Sequence, residues 1–153
     1  MTRTGKPHIP IAMTTIYTDE EIRFMKGLAN LGLEHVGFGG WHVMHGLSQG
    51  FRCAYCDRDF LASLNEYDSL QLDHITPQSC KGESTKENTV ACCWTCNHLK
   101  GSYPPTGTTR EERIADSRHY VKARRSTREA ELAKIRLFVR GDSPTTDDQM
   151  PSG

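Results

Sequence analysis

The sequence predicts an α+β fold: a small strand–loop–strand–helix unit pinned at its base by metal, with helices before and after it. Three observations predict this. Two C-x-x-C pairs, Cys53/Cys56 and Cys93/Cys96, offer the four thiolates that a tetrahedral, all-cysteine zinc site needs. The 36 residues between the pairs exceed a zinc-ribbon loop, so something folded sits there. Helical patterning lies on both sides of that segment. A chain of 153 residues with 36% hydrophobic and 8% aromatic residues supports one modest core with appendages.

The elements follow in order. Pro7 and Pro10 keep the first dozen residues irregular. Thr18-Asp19-Glu20-Glu21 is a capping box, and Ile22, Met25, Leu28 and Leu31 continue it at helical spacing. Gly32, Gly37, Gly39 and Gly40 end that helix and open a loop. Gly40 to Gly50, with Trp41, Val43, Met44 and Leu47, predicts a second short helix leading into the first knuckle. On it, His42 and His45 are expected to belong to a packed face with Trp41 and Met44 rather than to form a metal pair. Leu70 to Ile75 roughly alternates apolar and polar residues, as a half-buried strand does, and Pro77 ends it. Gln78 to Lys86, containing Gly82, reads as a loop, and Asn88 to Cys92 as a return strand. Trp94 to Lys100 reads as a helix stopped by Gly101.

Thr108-Thr109-Arg110-Glu111-Glu112 is a doubled capping box that opens a further helix. Ile114, Val121, Leu132 and Val139 share one face of it, but Arg118 and Arg125 interrupt the stripe. Ser126-Thr127-Arg128-Glu129 offers another capping box, which predicts a break or kink there. Ser, Pro, Thr, Asp and Gly dominate from Gly141 onward and predict a disordered tail. The expected organisation is therefore a helical extension over 1–50, the metal-pinned unit over 51–103, a basic helical segment over 104–140 and a tail over 141–153.

The formal net charge is zero, but it is unevenly spread. Residues 101–140 carry ten basic against five acidic side chains. A basic segment after an acidic one suits a protein that grips a polyanion with one element and holds a cation with another. Six cysteines without a secretory signal argue for reduced thiols and a cytoplasmic setting. No run of 18 apolar residues is present, so no membrane span is expected. Cys92/Cys96 is an alternative knuckle spacing. Cys93 is preferred because it makes the two knuckles equivalent, leaving Cys80 and Cys92 as ordinary small residues.

Taken together, Cys53-Ala54-Tyr55-Cys56, Asp73-His74-Ile75-x-Pro77, Gly82, Asn88 and Cys93-x-x-Cys96-Asn97-x-x-Lys100-Gly101 resemble the HNH endonucleases. The resemblance covers residues 51 to 103, about a third of the chain, and rests on several separate elements in the right order. It implies a ββα-metal fold, with His74 as the general base and Asp73 as a ligand of a catalytic divalent ion. It also implies that Asn88 orients His74 and that Asn97 is the second ligand of that ion. Many HNH proteins have histidine where this chain has Asn97. An amide oxygen is a hard ligand, which favours Mg²⁺ or Mn²⁺ there. His98 lies beside it, about 100° round the helix, as the alternative ligand. The Cys53/Cys56/Cys93/Cys96 zinc would be structural, closed by four thiolates.

DNA is the expected substrate; the resemblance implies that the ββα element sits in the minor groove and cuts one strand. Lys100, Arg110, Arg118, Lys122 and Arg125 are the expected phosphate contacts. The setting that the resemblance implies is a bacterial or phage-infected cell. The first 50 residues either complete the core or pair two chains into a homodimer. A catalytically silent four-cysteine zinc module that binds nucleic acid is the alternative to an enzyme.

Overall fold

The computed structural model describes residues 18–30 and 40–141. The expectations for the irregular start, the glycine-rich stretch 31–39 and the tail after Gly141 fall outside these residues. The fold is α+β: five helices and a two-stranded antiparallel sheet among the described residues.

Helix α1, Asp19–Asn30, starts at the expected box. The Thr18 backbone N–H donates to Glu21 at 2.7 Å, and the Glu21 N–H donates back to the Thr18 hydroxyl at 3.2 Å. Burial opposes ionisation of Glu21, but these bonds and the Lys86 ammonium at 3.2 Å hold its carboxyl below the usual range. That ion pair ties α1 to the loop of the hairpin. Helix α2, Gly40–Ser48, buries Met44, His45 and Gly46. Gly46 is required by the Phe51 ring, whose nearest atom would lie 2.7 Å from an added Cβ.

A tight turn follows. Arg52 bridges Asp59, and Cys53 N–H donates to the Arg58 carbonyl at 2.9 Å. This turn holds the first C-x-x-C pair. A short helix not foreseen from the sequence, α3 (Leu64–Asp68), is capped by Ser63 and has no buried residue.

Strands β1 (Leu70–His74) and β2 (Thr89–Cys93) pair with Leu70 opposite Cys93 and His74 opposite Thr89. All five residues of β2 are buried, consistent with an almost wholly apolar run covered on both faces. On β1, Leu70 and Asp73 are buried and the others are half-buried. Helix α4, Trp94–Lys100, begins in the second pair, with Cys93 as its N-cap, and ends at Gly101 as expected. The core collects Tyr55, Phe60, Leu70, Ile75, Val90, Leu99 and Val121 around the cysteines.

Helix α5 runs from Arg110 to Arg140 without interruption, so the expected break near Ser126 is absent. The Thr109/Glu112 capping box forms, and backbone and hydroxyl donors from Thr109 and Thr108 pull the exposed Glu112 carboxyl down to about 2. The second box does not act as a start. Thr127 donates its hydroxyl to the Ala123 carbonyl at 3.3 Å, satisfied within the helix. Neither proline nor glycine interrupts residues 110–140, so nothing breaks the ladder. None of the described helices is long and apolar enough to cross a membrane.

Candidate functional site

The hairpin has two chemically different ends. At the Cys93 end, the sulfurs of Cys53, Cys56, Cys93 and Cys96 all lie within 4.8 Å of one another. The Cys56 and Cys93 sulfurs are 3.8 Å apart. A tetrahedral zinc with Zn–S bonds of about 2.3 Å requires sulfurs about 3.8 Å apart, so the donor set fits the ion. Backbone N–H groups also point at the sulfurs: Cys93 donates to Cys53 Sγ at 3.2 Å and Cys96 to Cys93 Sγ at 3.4 Å. Both bonds favour thiolate. The hydrogen bond from Cys53 also draws the Cys56 thiol down to about 6. Three of the four are buried and Cys56 is exposed. Cys80 and Cys92 stand outside the cluster, the first exposed and the second buried in the core.

At the other end, adjacent strand residues face opposite ways, as the pleat demands. Asp73 turns inward, 7% exposed, and His74 turns toward solvent. Asp73 Oδ2 accepts the Tyr55 hydroxyl at 2.5 Å and pairs with Lys100 Nζ at 3.0 Å. Burial and the Asp73 carboxylate together push the Tyr55 phenol far above its usual range, so it stays a donor. Lys100 Nζ also donates to the His74 carbonyl at 2.8 Å. His74 Nε2 lies 2.9 Å from Ser84 Oγ, which also accepts from Gln78 Nε2 at 3.1 Å.

The Asn88 amide makes three hydrogen bonds, all to the loop backbone. It accepts from Thr76 N–H at 2.9 Å and donates to the carbonyls of Thr76 (3.0 Å) and Glu83 (2.9 Å). These bonds go to the loop that carries Ser84 and not to the His74 ring. Gly82 completes that loop: an added Cβ would sit 1.8 Å from the Thr76 carbonyl oxygen. Asn97 is half-buried on α4, and its side chain has no hydrogen-bond partner among the described residues. His98 stacks on Trp94, ring centroids 5.2 Å apart, both on the exposed side of α4.

The expected phosphate contacts divide. Lys100 is corrected: its side chain is fully buried in the ion pair with Asp73 and does not reach solvent. Arg110 donates to the carbonyls of Glu87 and Thr89, and Arg118 donates twice to the Ala54 carbonyl. Arg125 donates to Cys96 Sγ at 3.2 Å. Arg118 and Arg125 interrupt the apolar stripe and, with Arg110, bolt α5 to the core. Lys122 is exposed. A shallow cleft of about 200 Å³ between the first knuckle and α5 is lined by Arg52, Arg110 and Arg118 and does not include His74.

Tyr55 and Ser84 are neighbours of Asp73 and His74 that the sequence reading missed. Tyr55 sits inside a C-x-x-C pair, which marks it as close to the core. Ser84 carries no local signal. His45 is buried as expected of a packed face, with Nε2 2.8 Å from the Thr89 hydroxyl.

With this geometry in place, comparison with known proteins is direct. Residues 53–102, about a third of the chain, match the family profile of the HNH endonucleases. The chain is also 32% identical over 91 residues to the CRISPR-associated endonuclease Cas9 of Corynebacterium diphtheriae. The match covers 53% of this chain but spans only 8% of the length of that relative. No solved structure matches significantly.

Proposed function

We propose that the chain is a metal-dependent endonuclease that hydrolyses DNA phosphodiester bonds. The observation that carries this is the pairing of a solvent-facing His74 with an inward Asp73 at the loop end of an HNH hairpin. Phosphodiester hydrolysis needs a base for water and positive charge for the phosphorane and the departing 3′ oxygen. Histidine is the base suited to neutral pH. In the tautomer that donates Nε2–H to Ser84, the His74 Nδ1 lone pair is free to take the proton from water. Asn88 and Ser84 position the ring by holding the loop.

Asp73, through the carboxylate oxygen that neither Tyr55 nor Lys100 engages, and Asn97, through its amide oxygen, would hold Mg²⁺ or Mn²⁺. Two hard oxygen donors suit that ion, which keeps most of its shell for water and phosphate. The ion would stabilise the leaving oxygen. Lys100 already neutralises Asp73, so ion binding would draw much of its strength from the substrate phosphate. Zinc at the four cysteines is the structural ion of this reading, remote from the chemistry. Lys122, with the solvent-facing parts of Arg110 and Arg118, would meet phosphates. The proposed organisation keeps 51–103 as the nuclease domain, with helical flanks over 1–50 and 104–140.

Supercoiled plasmid nicking with Mg²⁺ or Mn²⁺ tests this. His74→Ala is expected to lower the rate by about 10²–10⁴-fold while DNA binding persists. Nicking that survives the substitution sinks the proposal. DNA binding without nicking by the unmodified chain points instead to a silent nucleic-acid-binding module.

A further inference from the structure

The cysteine cluster is approached by a side chain from outside the HNH segment. Arg125 lies on α5, 29 residues beyond Cys96, and donates through Nη2 to Cys96 Sγ at 3.2 Å. Its position on the helix matters as much as the contact. Arg110, Arg118 and Arg125 recur at seven- to eight-residue spacing, two helical turns, and so line one face of α5. Each ends on the core: Arg110 and Arg118 on carbonyl oxygens, Arg125 on sulfur. Arg125 is the last of them. Every residue from Ser126 to Arg140 is exposed.

We propose that Arg125 is an outer ligand-positioning residue of the zinc site, and that through it metal occupancy fixes the docking of the C-terminal helix on the HNH unit. The proposal rests on the reading of the four cysteines as a zinc site. Four thiolates around one Zn²⁺ carry a formal charge of −2. The two backbone N–H···S bonds delocalise some of it but bring no positive charge. A guanidinium on Cys96 does bring it, and a charge-assisted hydrogen bond is roughly twice as strong as a neutral one. Without the ion, Cys96 Sγ is no longer held in place with the other three sulfurs, and the last anchor of α5 loosens. Groups that orient and neutralise metal ligands typically contribute about 10–100-fold in metal affinity.

The test uses the full chain in four forms: unmodified, Arg125→Gln, Arg125→Lys and, as a control on the same helix, the exposed Arg124→Gln. Zinc affinity is read by chelator competition, and amide hydrogen exchange over residues 118–130 is followed with zinc and after its removal. Arg125→Gln is expected to bind zinc about 10–100-fold more weakly and, when zinc-loaded, to exchange faster over 118–130 than the zinc-loaded unmodified chain, with exchange in β1 and β2 unchanged. Arg125→Lys keeps the charge without the planar fork, so it is expected to fall between; it also carries the test if Arg125→Gln does not fold. Arg124→Gln is expected to match the unmodified chain. Zinc affinity within twofold of the unmodified chain in Arg125→Gln, or exchange over 118–130 in the zinc-loaded variant equal to that of the zinc-loaded unmodified chain, overturns the proposal. An unmodified chain that folds but takes up no zinc overturns it together with the zinc site, and metal content near zero in all four forms identifies that case.

Discussion

The two ends of one hairpin are held together by different physics. Four residues, about 13 Å of strand, separate the Leu70–Cys93 pair from the His74–Thr89 pair. At the cysteine end, four sulfurs crowd together, and their mutual repulsion as thiolates is tolerable only around a cation. At the histidine end, protein groups supply the cation themselves: Lys100 sits on Asp73 and on the His74 carbonyl. The first end is conditional on metal; the second is built by a buried ion pair. The difference teaches why the histidine end can stay open on one side: its backbone is anchored from beneath, so the His74 ring is left half-buried.

The comparison can be broken most severely at the cysteine end. Cys93→Ser removes one of the four clustered sulfurs while leaving a hydroxyl that can still cap α4. It is expected to abolish zinc binding and cooperative thermal unfolding together, because so small a core has little else to hold it. Metal content and calorimetry on the same sample check this. An unchanged melting transition would show that the sulfur cluster is not what closes the fold.

The histidine end breaks by a different route. Lys100→Met leaves Asp73 buried and uncompensated, and is expected to destabilise by about 3–5 kcal/mol in chemical denaturation. The double variant Lys100→Met with Asp73→Leu should recover much of that loss, since no lone charge remains. Zinc content should stay at the level of the unmodified chain in both, which separates this end from the other.

A smaller effect is expected from pH. Burial, then the charges of Arg110 and Lys86, lower His45 from 6.5 to about 4, with Glu21 opposing and His42 adding to the shift. Between those values the unfolded chain binds the extra proton and the folded chain does not, so stability rises with pH. It is intact above about pH 6.5 and falls as pH drops toward 4, by about 3 kcal/mol at the limit. Cysteine protonation acts in an overlapping range. The measurement is therefore the difference between the unmodified chain and His45→Gln, whose curve should be flatter. Parallel curves would exclude His45 as the source. The smallest effect is at α5: Thr109→Ala should cost about 1 kcal/mol through the lost capping box, without changing zinc content.

Much of this was legible because it is local. Thr18/Glu21 and Thr109/Glu112 are caps that form from residues three apart, and Gly101 ends α4 where the pattern says. The knuckles follow from spacing, and the pleat alone separates Asp73 from His74. The failures are of another kind. Ser126–Glu129 has the letters of a capping box, yet a hydroxyl inside a continuing helix finds a carbonyl one turn back. Lys100 has the charge of a phosphate contact, yet the fold tucks it beneath β1. Arg118 and Arg125 looked like flaws in an apolar stripe because their acceptors, the Ala54 carbonyl and Cys96 Sγ, lie 64 and 29 residues away.

By itself, the sequence determined the starts of α1, α2, α4 and α5, the two strands, the four sulfurs and the Asp-His pair, because each depends on neighbours within a turn or on alternation along a strand. Only the tertiary structure decided what the charged side chains do. A lysine or arginine carries a long flexible stem and a fixed charge, and nothing in its own neighbourhood says whether that charge ends in water, on a carboxylate or on a sulfur. That is settled by which distant acceptor the fold leaves within about 3 Å of it.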